Sequence, residues 1–320
     1  MKKEIIIILV GILTISSCKN EVKISKDISE NELNLRVSRF DREFAESTPK
    51  ELPNLKQKYS FLFPEQYPDS VWYSKQQDSL QMELYKEVMA VFSDLESETQ
   101  ELELLFKHIQ YYFPKYQVPW VITLISDVDY QNRVILTDSI LLIGLDNYLG
   151  EDHRFYGGID RYVAAGLDKN NLISDVTSAF SNKLISYPKD RVFLAQMIYY
   201  GKELYLKDML IPLVSDAIKI GYSEEDLLWA EANEEQIWRY FIENELLYST
   251  DYKLSPRFLD PAPFSKFGLE LDNESPGKIG RYMGWQIVRS FMENNELSLS
   301  QLIALPADDI FKRSKYKPRK

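Results

Sequence analysis

Cys18 is the only cysteine in this 320-residue chain, and it stands at the end of an apolar leader. Whatever folds after it has no second thiol for a disulfide and no thiolate set for a structural metal. It must therefore be held together by buried apolar surface alone. About 300 residues follow Cys18, and 45% of the chain is hydrophobic, enough to build such a core. The same count removes thiol nucleophiles from the catalytic options.

The leader itself has a mechanism. Lys2 and Lys3 precede an apolar run from Ile5 to Ile15, and Ser16 and Ser17 lead into Cys18. A basic start, a short apolar run and small residues before a cysteine form a lipoprotein export signal. Eleven residues are too few to cross a hydrocarbon core as a helix, which needs about 20. The expected anchor is thus lipid on Cys18, a diacylglycerol with palmitate-type acyl chains. One chain alone binds membranes only marginally. The expected location is the cell envelope, attached to the inner or outer membrane and facing the periplasm.

Charge narrows the partners. The formal net charge of −11 excludes a nucleic-acid surface, which needs excess basic residues. Only the last nine residues run the other way, with Lys312, Arg313, Lys315, Lys317, Arg319 and Lys320 and no acid. Such a tail is read here as a solvated terminus, the alternative being contact with anionic headgroups or an acidic partner.

Periodicity divides the chain into a leader over residues 1–17 and a polar, lipidated tether over residues 18–34. A single globular domain follows over residues 35–311, with helices and a small sheet over 35–150 and helices over 151–311, and the basic tail fills 312–320. Leu80, Leu84, Val88, Val91, Phe92 and Leu95 share one helical stripe; Leu102, Leu105, Phe106, Ile109 and Phe113 form a second. Ser97 with Gln100 reads as the capping box of that second helix. Short β-branched runs over 118–125, 133–136 and 139–145, separated by polar turns, predict a small, mostly antiparallel sheet.

Helices return after residue 160, over 175–185 and 192–209. Ser223, and Asn233 with Gln236, are N-terminal signals for the next two. Residues 250–275 carry Pro256, Pro261 and Pro263 and no helical period. Ser275-Pro276 is expected to start a helix in which Gly280 and Gly284 let another element approach closely, and Ser298 with Gln301 starts a last one. The fold class is α+β, predominantly helical.

Chemistry is hard to find. His108 and His153 are the two histidines, 45 residues apart, so no helix carries a zinc-binding pair. A site from His153 with Asp152 and Asp160 would rely on loop neighbours, and His108, among charged residues, is expected to be solvated. No serine sits in a nucleophile elbow, and Gly157-Gly158 reads as a turn. No catalytic residue, metal ligand or cofactor is expected. What stands out is an aromatic second half: Tyr199, Tyr200, Trp229, Trp238 and Trp285, with Phe258, Phe264 and Phe267 in the long irregular stretch. These rings either pin the stretch to the core or line a groove for a partner, with Tyr200, Lys202, Trp238, Phe264, Lys266, Phe267 and Trp285 as the candidate positions.

Four ordered segments carry a resemblance. They are Met197 through Tyr205 (MIYYGKELY), Asn233 through Trp238 (NEEQIW), Asp260 through Phe267 (DPAPFSKF), and Asn273 through Gly280 (NESPGKIG) continuing over Gly284 to Ser290. Together with the leader they resemble the GldB gliding-motility lipoproteins of Bacteroidetes. The resemblance implies protein partners in the machinery that moves cells over surfaces, whose loss is linked with loss of motility.

A more distant likeness is to zincin-like peptidases. It implies a zincin-like arrangement in which the helix over 175–185 takes the histidine-bearing slot, and Gly201 and Tyr205 match a second zincin segment. Tyr200 then stands where a glutamate ligand would be, and every zinc-binding position is lost. A tyrosine is a poor replacement, with its pKa near 10. The implied protein is a pseudoenzyme: a non-catalytic envelope component on a peptidase-like scaffold. The alternatives are an unrecognised hydrolase and a periplasmic peptide- or glycan-binding lipoprotein.

Overall fold

The computed structural model describes Ile28, residues 32–270 and residues 272–320. Cys18, the leader and most of the tether lie outside the described residues. Among the described residues no helix is long and apolar enough to cross a membrane.

Strand β1 (Val37–Arg39) opens the body, and five helices follow before the chain returns to the sheet: α1 (Phe40–Glu46), α2 (Leu52–Lys58), α3 (Asp69–Gln77), α4 (Ser79–Val91) and α5 (Glu96–Tyr112). Then come β2 (Trp120–Leu124), β3 (Val134–Leu136) and β4 (Ile140–Gly144). The sheet order is β1-β2-β4-β3.

The three short runs do form strands, but the sheet is not mostly antiparallel. β1 pairs parallel with β2 (Val37 beside Val121), and β2 pairs parallel with β4 (Val121 beside Leu141). Only the β3–β4 hairpin is antiparallel, with Ile135 beside Leu142. The physical reason is a crossover. The chain leaves β2, passes to the far edge as β3, and turns back at Thr137, placing β4 between β3 and β2. A nine-residue connection looked like a hairpin but carries the chain past one strand position. Strand β1 was missed because three residues show no period, and its parallel pairing needs the α1–α5 crossover.

Side chains alternate across this sheet. Val121 and Ile143 join the main core, while Ile122 points to a smaller cluster with Phe44, Leu52, Tyr59 and Phe63. Both faces are covered, as parallel pairing demands.

The second half is helical: α6 (Arg161–Ala164), α7 (Leu172–Leu184), α8 (Phe193–Leu210), α9 (Asp216–Ile220), α10 (Glu224–Ala232), α11 (Glu234–Glu243), α12 (Leu254–Phe258), α13 (Ile279–Glu293), α14 (Leu299–Ala304) and α15 (Ala307–Ser314). Helix α8 is the axis, and α7, α9 and α13 to α15 all pack against it, α13 most extensively. The expected close approach exists: a Cβ on Gly284 would lie 1.9 Å from the Met197 carbonyl oxygen, and one on Gly280 2.9 Å from the Leu259 side chain. Trp285, Tyr282 and Met283 are fully buried beside the crossing.

Local expectations divide by how the termini are capped. Ser223 with Asp226 and Ser298 with Gln301 form the reciprocal capping boxes of α10 and α14. Ser97 does not cap α5, because that helix starts one residue earlier, at Glu96. Asp94 Oδ1 takes the Glu96 N–H at 2.9 Å, and Leu95, buried, adopts φ +65°. Nor does Asn233 cap α11; its amide donates to the Trp229 carbonyl at 2.8 Å and closes α10 instead. Helix α13 begins at Ile279, later than Ser275-Pro276, because the Ser275 hydroxyl is spent on the carbonyls of Asp272 and Ser265. Within the stretch read as irregular, α12 forms with Pro256 in its first turn, where the missing N–H is harmless.

Two polar readings change. His108 is only 2% exposed, with Nδ1 2.9 Å from the Leu104 carbonyl, and burial holds it below the ordinary histidine value. The basic tail is docked rather than solvated. Lys312 and Arg313 lie in α15, the Tyr316 hydroxyl donates to Glu234 at 2.6 Å, and Arg319 pairs with Glu231 at 3.0 Å.

Candidate functional site

Helical spacing puts three sets of polar side chains around one cleft. On α7, Ser174, Asp175 and Ser178 line it; on α8, Tyr200, Glu203 and Lys207 do, at intervals of three and seven from Tyr200, with the apolar Leu204 between them. Lys278 and Arg281 come from the start of α13, and Tyr130 and Arg133 from the segment before β3. The cleft has a volume of about 480 Å³. It runs into a second hollow of about 420 Å³ walled by Tyr162, Ala165, Tyr222 and Pro261 to Pro263, with Lys278 at the junction.

The loop that forms this junction is locked in place. The Ser265 hydroxyl donates to the Pro276 carbonyl at 2.6 Å and receives the Ile279 N–H at 3.3 Å. A Cβ on Gly277 would stand 2.1 Å from the Ala262 carbonyl oxygen, so only glycine lets the two loop segments touch. Lys278 follows at φ +60°, a backbone conformation that a lysine adopts only when its surroundings hold it there.

The cleft is cationic, although the chain carries a net charge of −11. Arg133 grips Asp175 with two bonds of 2.6 and 2.9 Å, and the Tyr148 hydroxyl donates to the same carboxylate at 2.9 Å. Burial and the Asp175 charge push the Tyr148 hydroxyl well above the ordinary tyrosine value. Lys219 is matched by Asp208 at 3.0 Å and Asp216 at 3.1 Å.

Three further cations make their hydrogen bonds to neutral oxygens rather than to a carboxylate. The Lys207 ammonium donates to Ser174 Oγ at 3.0 Å and to the Lys219 carbonyl at 2.8 Å, with Glu203 at 3.9 Å, and burial lowers its affinity for the proton. Lys278 donates to the carbonyls of Ile220 at 2.9 Å and Gly221 at 3.2 Å. Its desolvation, with Arg281 and Lys207 nearby, brings its pKa down to about 7. Arg281 is held by one edge: Nε donates to the Leu259 carbonyl at 2.5 Å, and the guanidinium lies 3.8 Å over the Tyr200 ring. Its terminal nitrogens have no hydrogen-bond partner among the described residues.

Of the positions singled out from sequence, Tyr200 lines this cleft, as the platform under Arg281. Lys202 does not. It is buried on another face of α8, where Nζ donates to the carbonyls of Ile303 and Leu305 at the end of α14, and burial lowers its pKa to about 8. Trp238 packs on Phe311 and Tyr316 under the docked tail. Trp285 is fully buried, with Nε1 on Asp208 at 2.8 Å and Arg289 over its ring. Phe267 packs edge-on against Tyr240 and lines a separate apolar hollow of about 310 Å³. Phe264 is half-buried and Lys266 exposed, its carbonyl accepting from Arg257. Cys18 lies outside the described residues.

Arg133, Lys207, Lys278 and Arg281 were not singled out. Lys278 sits inside a quoted segment and Arg281 one residue past it, but glycine and aromatic patterns drew the reading there. The available signal was three cations, Lys207, Lys278 and Arg281, falling within or beside unusual segments of an acidic chain; Arg133 carried none.

Neither histidine reaches the cleft; His153 packs at a tilt against Phe155 and Tyr156 with Nε2 3.5 Å from Glu87. Among the described residues no group of three or more histidine, cysteine or acidic side chains is placed to hold a metal ion.

A family model described as gliding motility protein GldB matches residues 21–318. No curated protein and no solved structure matches the chain.

Proposed function

Because the chain belongs to the gliding motility protein GldB family, we propose that it is a non-catalytic component of the gliding machinery, tethered by lipid on Cys18 and holding a partner in the cationic cleft. The observation that carries this reading is the Lys207 ammonium 3.0 Å from Ser174 Oγ, beside an Asp175 already claimed by Arg133.

In the zincin-like arrangement, α7 is the helix of the histidine slot. Its cleft-facing residues are Ser174, Asp175 and Ser178, opposite Tyr200 on α8. A catalytic divalent ion needs neutral imidazoles or free carboxylates around it. Hydroxyls, a carboxylate paired with arginine and a lysine ammonium do not fit one. Ser178 has no imidazole in the cleft to activate it. Lys207 stands beside Ser174 as in serine–lysine hydrolases, but the Ser174 hydroxyl donates its proton to the Ile218 carbonyl at 3.2 Å and receives one from Lys207. That arrangement weighs against the hydrolase alternative.

What remains is a preformed hollow with fixed cations and rigid walls, the features of a binding site. The family supports a partner within the gliding machinery, and the lipoprotein signal supports an envelope location.

The test is allelic replacement in the gliding organism with Cys18→Ala and, separately, Arg281→Glu. The expected outcome is a Cys18→Ala protein that folds but leaves the membrane fraction, and an Arg281→Glu protein that stays there; both strains stop gliding. Normal gliding with either protein would remove the corresponding half of the proposal.

A further inference from the structure

The cleft distinguishes among anions. Arg281 is fixed on three sides: Nε on the Leu259 carbonyl, the guanidinium face on Tyr200, and the stem on the first turn of α13. The free edge is a planar pair of N–H donors, which matches a carboxylate bidentately without further ordering. Lys278 is tied to two carbonyls and, when protonated, keeps one N–H of its ammonium for a ligand. Lys207 adds positive potential from below.

The carboxylates matter as much. Glu203 faces the same space and lies 3.9 Å from the Lys207 ammonium. Asp175 lines the same cleft from α7. A doubly charged phosphate would be repelled by both, whereas a single carboxylate would not carry that excess. Glu203 is also an acceptor placed to take a ligand N–H. Beyond Lys278, the second hollow offers the apolar surface of Pro261, Ala262, Pro263 and Tyr162 to a chain extending away from the charged end. Glu151, Asp168 and Asp226 are also in its lining, as acceptors for backbone N–H groups. A carboxylate followed by N–H donors and side chains is the end of a peptide.

We infer that the cleft captures the free α-carboxylate of a partner's peptide chain end, held by the free edge of Arg281 with Lys278 beside it, while the preceding residues lie along the Pro261–Pro263 wall. Capture of a chain terminus by fixed donors is a known mode of peptide recognition, and it needs no reaction at the site. The inference rests on the reading of this cleft as the partner-binding site.

The test uses the full chain in detergent and two pools of random tripeptides, one with free carboxylates and one amidated at the same end. Melting temperature is followed as each pool is titrated, with inorganic phosphate as a third arm. The free-acid pool is expected to raise the melting temperature, and the amidated pool to leave it unchanged. Arg281→Gln should weaken the free-acid response by about tenfold or more, the loss of a charged hydrogen-bonding group. Lys278→Met should weaken it less, and serves if the arginine variant does not fold.

An equal response to both pools, no response to the free-acid pool, or an undiminished response in the variants would overturn the inference. A response to phosphate alone would overturn it too and would assign the cleft to phosphoryl ligands. Failure here with gliding still dependent on Arg281 sinks the carboxylate and spares the proposed function. Peptide capture with gliding indifferent to Arg281 does the reverse.

Discussion

Gly201 meets Gly284 where α8 crosses α13, so closely that a Cβ on Gly201 would stand 2.3 Å from the Gly284 carbonyl oxygen. Both partners at this contact are backbone, which cannot rotate away as a side chain can. Gly284→Ala should therefore force the two central helices apart and cost about 3 kcal/mol, at the upper end of overpacking effects. Urea denaturation monitored by far-ultraviolet circular dichroism measures it. An unchanged midpoint would mean the helices do not cross there. Gly158→Ala is the control, since a Cβ at Gly158 meets nothing within 4 Å.

Lys278 ties stability to pH. Its pKa falls from 10.5 to about 7 on folding, through desolvation first and then the charges of Arg281 and Lys207, against Glu203 and Asp226. Between those values the unfolded chain holds a proton that the native chain has released, so stability rises with pH across the window. Below about pH 7 the penalty is present in full. Lys202, lowered to about 8, contributes with the same sign over the upper part. Lys278→Met should flatten the rise, most visibly between pH 7 and 8, where Lys202 contributes little. Denaturation midpoints across that range check it, and an identical slope in the variant would refute it.

Glu234 anchors the tail from beneath. It is 2% exposed and accepts from the hydroxyls of Tyr282 at 2.9 Å and Tyr316 at 2.6 Å and from the Arg319 N–H at 3.2 Å. Tyr316→Phe should cost about 2 kcal/mol, the net worth of one hydrogen bond to a charged group. Glu234→Ala should cost about 3 kcal/mol, because two buried hydroxyls lose their acceptor. Limited proteolysis of the alanine variant should release a short basic peptide earlier than from the wild type. Equal cleavage rates would mean that the tail is held by something other than Glu234.

Asp175 takes two bonds from Arg133 and one from Tyr148. Asp175→Asn leaves the guanidinium without its counter-charge at a site that water partly reaches, and should cost about 2 kcal/mol, between exposed and buried pairs. The Arg133→Gln, Asp175→Asn double variant should recover part of that loss, as residues in direct contact are not additive. Full additivity of the two losses would argue against the pair.

The amino-acid pattern alone marked the apolar stripes of α4 and α5 and the starts of α10 and α14, though not α1 to α3 or α12. The stripes of Leu84 with Val88 and of Leu105 with Ile109 are buried, and the boxes at Ser223 and Ser298 form, because those interactions span three or four residues and need nothing from elsewhere. The glycine pair on α13 was legible for a similar reason: two missing side chains on one helix face predict close approach whatever the neighbour. The export signal expected at Cys18 rests on a short linear stretch for the same reason.

Tertiary structure decided what lies beside what. The parallel pairing of β1, β2 and β4 depends on where five helices carry the chain, and β-branched runs carry no record of strand direction. His108 and Glu234 are polar letters that only packing places in the interior. The cleft is the clearest case. Arg133, Lys207, Lys278 and Arg281 come from distant segments, and each alone reads as a solvated surface charge. Their role arises from convergence: the carbonyls of Leu259, Ile220 and Gly221 hold two of them with donors left over. Burial in one space makes those leftover donors favour an anion, and no spacing within the chain encodes that.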